Sequence, residues 1–132
     1  MIHTKAKSLS VLECELDIVF SHFIKLRDKG NNCFVCGAKL YGSTEAGHYM
    51  RRAFMPTRYH EMNVNTICFE CNRDDDQHKV KYRHKLVEMY GETAVRHMEF
   101  RAVNNLQKFM RFEIEELIEH YKVKISELKK KV

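Results

Sequence analysis

Apolar positions recur in steps of three and four over the first thirty residues. Leu9, Leu12, Leu16, Val19, Phe20, Phe23 and Ile24 predict an amphipathic helix over residues 10–29. Ser10 with Glu13 three residues on reads as its capping box, and Gly30 as its stop. Lys25, Arg27 and Lys29 gather at its C-terminal end. They either offset the helix dipole or contact phosphate. The pattern then shortens. Lys39–Tyr41 suits a short strand, Glu45–Met50 a second, and Asn63–Ile67 a third β-compatible run. Residues 51–61 read as an irregular loop holding the only proline, Pro56. From Phe69 the period turns helical until Gly91, with Asp74, Asp75 and Asp76 near its start, where carboxylates favour the dipole. A short helix follows from Glu92 to about Ala102. A long one starts near Asn104 or Asn105, with Leu106, Met110, Ile114, Leu117, Tyr121, Ile125 and Leu128 as its stripe. That stripe suits packing on the first helix or on a second copy of itself.

The pattern predicts an α+β chain, mostly α by content, within one domain spanning 1–132. The N-terminal helix occupies 9–30, a central core 31–91 and a C-terminal helical appendage 92–132. The 132 residues are 44% apolar and 31% charged, as in soluble globular chains. The chain has no apolar run long enough to span a membrane. Met1–Lys5 lacks the apolar core of a signal peptide, so the expectation is a cytoplasmic protein of a bacterial or phage-infected cell. A net charge of +5 and a pI near 9.0 favour a polyanionic partner.

Cysteine spacing sharpens the picture. Cys33-x-x-Cys36-Gly37 and Cys68-x-x-Cys71 are separated by 31 residues. Two such pairs can present four thiolates to one structural Zn²⁺. Gly37 can turn the backbone so that an N–H meets a thiolate sulfur. Five cysteines are an odd number and argue for a reducing compartment. The fifth, Cys14, falls in the apolar first helix and reads as a buried thiol. A redox or metal-storage thiol protein is the weaker alternative, because paired x2 spacing suits a closed tetrahedral site.

Between the pairs lie Gly47-His48 and Asn63, and Asn72 directly follows Cys71. A strand histidine, a loop, an asparagine and a helix starting at the second pair resemble the ββα-metal fold of HNH nucleases. That resemblance implies roles. His48 activates water, Asn63 fixes the loop that orients it, and Asn72 ligates a catalytic ion. The chemistry suits phosphodiester hydrolysis, which needs a base near neutral pH and a cation at the scissile phosphate. Oxygen ligands favour Mg²⁺ or Mn²⁺. Arg51, Arg52 and Arg58 stand in a loop without acids from Tyr49 to His60, and Lys79 and Arg83 stand in an acid-free stretch of the next helix. All five suit contacts to DNA phosphates.

Ala46-Gly47-His48-Tyr49, Arg51-Arg52-Ala53, Asn63-Val64, Cys68-x-x-Cys71-Asn72-Arg73, Tyr82-Arg83 and Tyr90-Gly91 together resemble the phage NinG/Rap recombination endonucleases. So does the opening helix, through Phe20-Ser21-x-Phe23-Ile24-x-Leu26-Arg27-Asp28. The likeness covers roughly residues 9–91. It implies a structure-selective endonuclease acting on branched DNA, such as Holliday junctions or D-loops. Many HNH sites carry aspartate immediately before the histidine, where this chain has Gly47. Glu45 can supply that carboxylate instead, at the offset used by phage junction resolvases of the endonuclease VII type. On an extended strand Glu45 and His48 are expected on opposite sides. The family has Gly-Asn where this chain has Gln77-His78. His78 is then a further candidate ligand or phosphate contact, with Asp75 and Asp76 as helical alternatives. A non-catalytic zinc-stapled DNA-binding protein is the competing reading. A twofold dimer through the last helix would suit a symmetric junction.

Overall fold

The computed structural model describes residues 6–73, 75–106 and 108–131. Met1–Lys5, read above for a missing signal peptide, and Asp74 of the acid triplet lie outside the described residues. Seven elements follow in order: α1 (Leu9–Arg27), β1 (Thr44–His48), α2 (Met55–Arg58), β2 (Val64–Cys68), α3 (Asp76–Tyr90), α4 (Glu92–Asn104) and α5 (Arg111–Lys130). No helix among the described residues is long and apolar enough to cross a membrane. The chain divides into two compact units. One joins residues up to Phe23 with those from Phe109 on; the other is Ile24–Lys108. The C-terminal appendage is thereby split, with α4 inside the central unit.

In the first unit, Leu12, Leu16, Phe20 and Phe23 of α1 are buried, as are Ile114, Ile118, Tyr121 and Ile125 of α5. Tyr121 meets both phenylalanines at 4.9 Å between ring centroids, edge-on to Phe20. The last helix therefore packs on the first, one of the two arrangements its stripe allowed. Lys122 and Lys7 both reach Glu15. Cys14 is exposed, not buried. Two residues after buried Leu12, it has turned about 200° away from the inward stripe. The first helix is capped by Ser8 rather than Ser10: Ser8 Oγ accepts the Val11 N–H at 3.2 Å. The long helix begins at Arg111, later than the stripe suggested, because Leu106 and Met110 are exposed and lie ahead of it. Glu113 accepts the Met110 N–H at 3.0 Å and closes its first turn.

The central unit is built on an antiparallel hairpin, β1 against β2, in which Glu45 faces Ile67, Gly47 faces Asn65 and His48 faces Val64. Lys39–Tyr41 forms no strand. It runs as unpaired chain after the first cysteine pair. The basic loop is not wholly irregular, since Pro56 starts the single turn of α2, where its missing N–H costs nothing. Helix α3 begins at Asp76 rather than Phe69. Cys68–Cys71 is spent on turns, and Asp75 caps the helix by accepting the His78 N–H at 2.9 Å. The core gathers Val35, Tyr49, Ile67, Tyr82, Leu86, Val95 and Met98 around the buried Cys33 and Cys71.

Arg27 locks the end of α1 to this hairpin. Its guanidinium donates to the carbonyls of Glu61 at 3.0 Å and Val64 at 2.9 Å, and to Asn65 Oδ1 at 3.2 Å. Asp28 binds the same guanidinium through both oxygens and accepts the Thr66 N–H at 2.9 Å. Arg27 is thus a half-buried anchor of β2, a role different from dipole compensation or a phosphate contact.

Candidate metal centre and adjoining basic cleft

The two knuckles bring all four sulfurs of Cys33, Cys36, Cys68 and Cys71 within 4.8 Å of one another. Cys36 Sγ and Cys68 Sγ are 3.9 Å apart. A tetrahedral Zn²⁺ with Zn–S near 2.3 Å demands S–S edges of about 3.8 Å, so the set fits the ion. Burial raises the Cys33 thiol, but backbone amides of Cys36, Cys68 and Val35 outweigh it and lower its pKa to about 7. The Cys68 N–H points at Cys33 Sγ from 3.3 Å. Gly37 plays a different part from the one its position suggested. Its positive φ of 77° turns the knuckle, and its N–H donates to the Cys33 carbonyl at 2.9 Å.

Beside this centre opens a cleft of about 320 Å³. Glu45, His48, Asn72 and His78 line it together with Arg51, Arg52, Arg73 and Lys79. Cys71 also lines it, so the second knuckle carries Asn72 directly into the wall of the cleft. Glu45 and His48 both border this cleft. Arg58 and Arg83 are held elsewhere. The Arg58 guanidinium lies 5.7 Å from the Tyr59 ring centroid. Arg83 forms ion pairs with Glu99 and Glu92.

His48 is fixed by backbone. Its Nε2 lies 2.9 Å from the Arg58 carbonyl oxygen. A carbonyl only accepts, so Nε2 carries the proton and the lone pair sits on Nδ1. The loop that supplies this carbonyl is clamped by Asn63, which is fully buried. Asn63 Oδ1 accepts the Met50 N–H at 2.7 Å. Its Nδ2 donates to the Met50 and Thr57 carbonyls, each at 3.0 Å. One amide therefore ties both ends of the Met50–Thr57 segment.

Gly47 leaves room for the rest. A Cβ there would overlap the Ile67 side chain and come within 3.2 Å of Asn72 Oδ1. A larger residue at this position would require the Ile67 side chain to shift. The carbonyl of Gly47 accepts the Tyr82 hydroxyl proton at 2.7 Å, and Asn65 Nδ2 donates to the same hydroxyl at 3.2 Å. Burial pushes the Tyr82 pKa up and keeps it a donor. Tyr49, next to His48, donates to Glu99 at 2.5 Å. Its pKa is likewise raised, first by burial and then by that carboxylate.

His78 Nδ1 lies 2.7 Å from the carboxylate of Asp75. Among the described residues, only the four cysteines bring three or more His, Cys, Asp or Glu ligand atoms together. Asn72 and Glu45 are among the residues lining the cleft.

Sequence reading missed Tyr82, the Arg27–Asp28 anchor, the Tyr49–Glu99 pair and the Arg58 carbonyl. The tyrosines and Arg27-Asp28 stood in the motifs of the resemblance without a partner to name, and a backbone carbonyl has no sequence signature.

Fold and site define a small α+β protein organised by a four-cysteine centre able to hold zinc, with a basic cleft against it. The family model described as "Bacteriophage Lambda NinG protein" matches residues 2–131, and the chain belongs to that family. It is 35% identical over 78 residues to Protein ninG of Escherichia phage 933W, an alignment covering 58% of this chain and 39% of that protein. The Protein ninG of Salmonella phage P22 is 36% identical over 78 residues, covering 58% and 38%. The chain thus spans about two fifths of the length of these relatives. No solved structure matches.

Proposed function

We propose that the chain is an HNH-type, metal-dependent endodeoxyribonuclease that hydrolyses phosphodiester bonds in branched DNA during recombination. The observation that carries this is the His48 imidazole, anchored through Nε2 on the Arg58 carbonyl in a cleft that also holds Asn72 and three arginines. In this reading Nδ1 takes the proton of the attacking water. Asn63 acts through the loop, holding the carbonyl that orients the ring. Asn72 and Glu45 hold a hydrated Mg²⁺ or Mn²⁺, with His78 as a further ligand or a phosphate contact. That ion supplies charge stabilisation at the scissile phosphate. Arg51, Arg52 and Lys79 grip the flanking backbone. Arg58 and Arg83 contribute less to that grip, one supplying the carbonyl that accepts from His48 and the other an ion-paired brace. Zinc in the cysteine centre holds the hairpin and α3 in register. A twofold dimer through α5 would bring two such sites to one junction.

The test is cleavage of a four-way DNA junction with Mg²⁺ or Mn²⁺ by the parent chain and His48→Ala. Cutting by the parent and a loss of at least about 10²-fold in the variant is expected. Equal cutting by both removes His48 from the chemistry. Tight junction binding without any cutting leaves a zinc-stapled DNA-binding protein.

A further inference from the structure

The central unit has a second cleft, of about 250 Å³, which shares no lining residue with the one holding His48. Neighbouring residues of β2 separate the two: Ile67 lines the first and Thr66 the second. Lys25 in the last turn of α1 and Lys29 just after that helix line the second cleft with Lys39, which follows the first cysteine knuckle. All three are exposed, and among the described residues neither Lys25 nor Lys29 forms an ion pair. The sole acid in the lining is Asp28. Arg27 neutralises it at 2.8 Å, and its second oxygen is occupied by the Thr66 amide. Three lysine charges are therefore left uncompensated.

Thr66 lines this cleft and an adjoining one. Thr66 is only 5% exposed, and its Oγ1 is the one buried side-chain polar atom without a hydrogen-bond partner among the described residues. A buried hydroxyl left unpaired is unfavourable. Asn31 and Asn32 add amide donors at the rim. Lysine ammoniums and amide N–H groups form a donor set suited to phosphate oxygens.

We infer that this cleft binds the phosphate backbone of a second DNA segment, while the His48 cleft holds the strand to be cut. The inference rests on the proposed nuclease reading and extends it. A protein with two separated phosphate grips prefers DNA in which two backbones diverge, so selectivity for branches would come from this second grip rather than from the catalytic residues.

The experiment compares the parent, Lys25→Gln/Lys29→Gln/Lys39→Gln and Cys14→Ser for binding to a four-way junction and to a short linear duplex, across a salt series. The triple variant should lose junction affinity by on the order of tenfold or more, and lose less on the short duplex. Its log–log salt slope on the junction should flatten by about 2–3, near 0.9 per lost phosphate contact. Cys14→Ser, outside both clefts, should bind both DNAs like the parent. Circular dichroism of the triple variant checks that it is folded. Unchanged junction affinity, or equal losses on junction and duplex, overturns the second grip while leaving the nuclease reading intact. A parent that binds no DNA overturns both. Titration with inorganic phosphate alone, followed at the Thr66 and Asn31 amide resonances, separates the remaining source. Saturation by free phosphate with no effect of the triple variant on junction binding makes this a small-anion site and overturns the DNA assignment.

Discussion

The Nε2 of His48 meets the backbone carbonyl of Arg58 at 2.9 Å, across ten residues of chain. No side chain of Arg58 is needed for this contact. Any residue at that position presents the same oxygen, provided the intervening loop keeps its shape. The orientation of His48 therefore depends on the loop, and the loop depends on Asn63.

Asn63→Ala removes three side-chain hydrogen bonds and takes the partner from the Met50 N–H and carbonyl, while the Thr57 carbonyl keeps the His60 N–H. A loss of about 2–4 kcal/mol in chemical denaturation is expected. Crystal or NMR data on the variant should show His48 released from the Arg58 carbonyl. A stable variant with the ring still anchored would remove Asn63 from this role.

One zinc per chain is expected by elemental analysis. Chelation should abolish much of the helical signal in circular dichroism, because the ion joins two knuckles 31 residues apart. Cys71→Ser should behave like the chelated protein, since its sulfur is buried in the core. Cys14→Ser should leave zinc content unchanged, because Cys14 is exposed and outside the four-sulfur set.

Gly47→Ala should destabilise the hairpin by about 1–3 kcal/mol, as its Cβ collides with Ile67. Pairing it with Ile67→Val tests the cause. The double variant should recover part of the loss, and failure to recover would place the strain elsewhere.

Acid should weaken the central unit through Glu99. Burial raises its carboxyl pKa, yet Arg83 and Tyr49 outweigh burial and hold it below the ordinary value. A lowered folded-state pKa means the contribution is complete above the unfolded value near 4.3 and disappears as pH falls through the folded one. Glu99→Gln should cost about 1–2 kcal/mol at pH 7 and make the unfolding free energy flatter between about pH 5 and 3. A variant whose acid profile matches the parent would remove Glu99 from this role.

Much of the site was legible because its spacings are local. Two x2 cysteine pairs can only be close neighbours within each knuckle, and Asn72 is tied to Cys71 by one peptide bond. Helices α1, α4 and α5 were visible from apolar periodicity, since a helix shows its buried stripe in its own sequence. Their ends were less visible. Ser8 and Asp75 are caps because of where their oxygens lie, and Met110 precedes its helix although it continues the stripe.

What the sequence by itself determined is the cysteine centre, the strand histidine between its halves, and an excess of positive charge. Tertiary structure alone decided how these are used. It turned Arg27 and Arg83 inward to carbonyls and carboxylates, and left Arg51, Arg52 and Lys79 in the cleft. It also made the carbonyl of Arg58, rather than its charge, the partner of His48. The physical reason is that charge and residue type are properties of one position. Desolvation and hydrogen-bond geometry depend on which distant backbone the fold brings alongside.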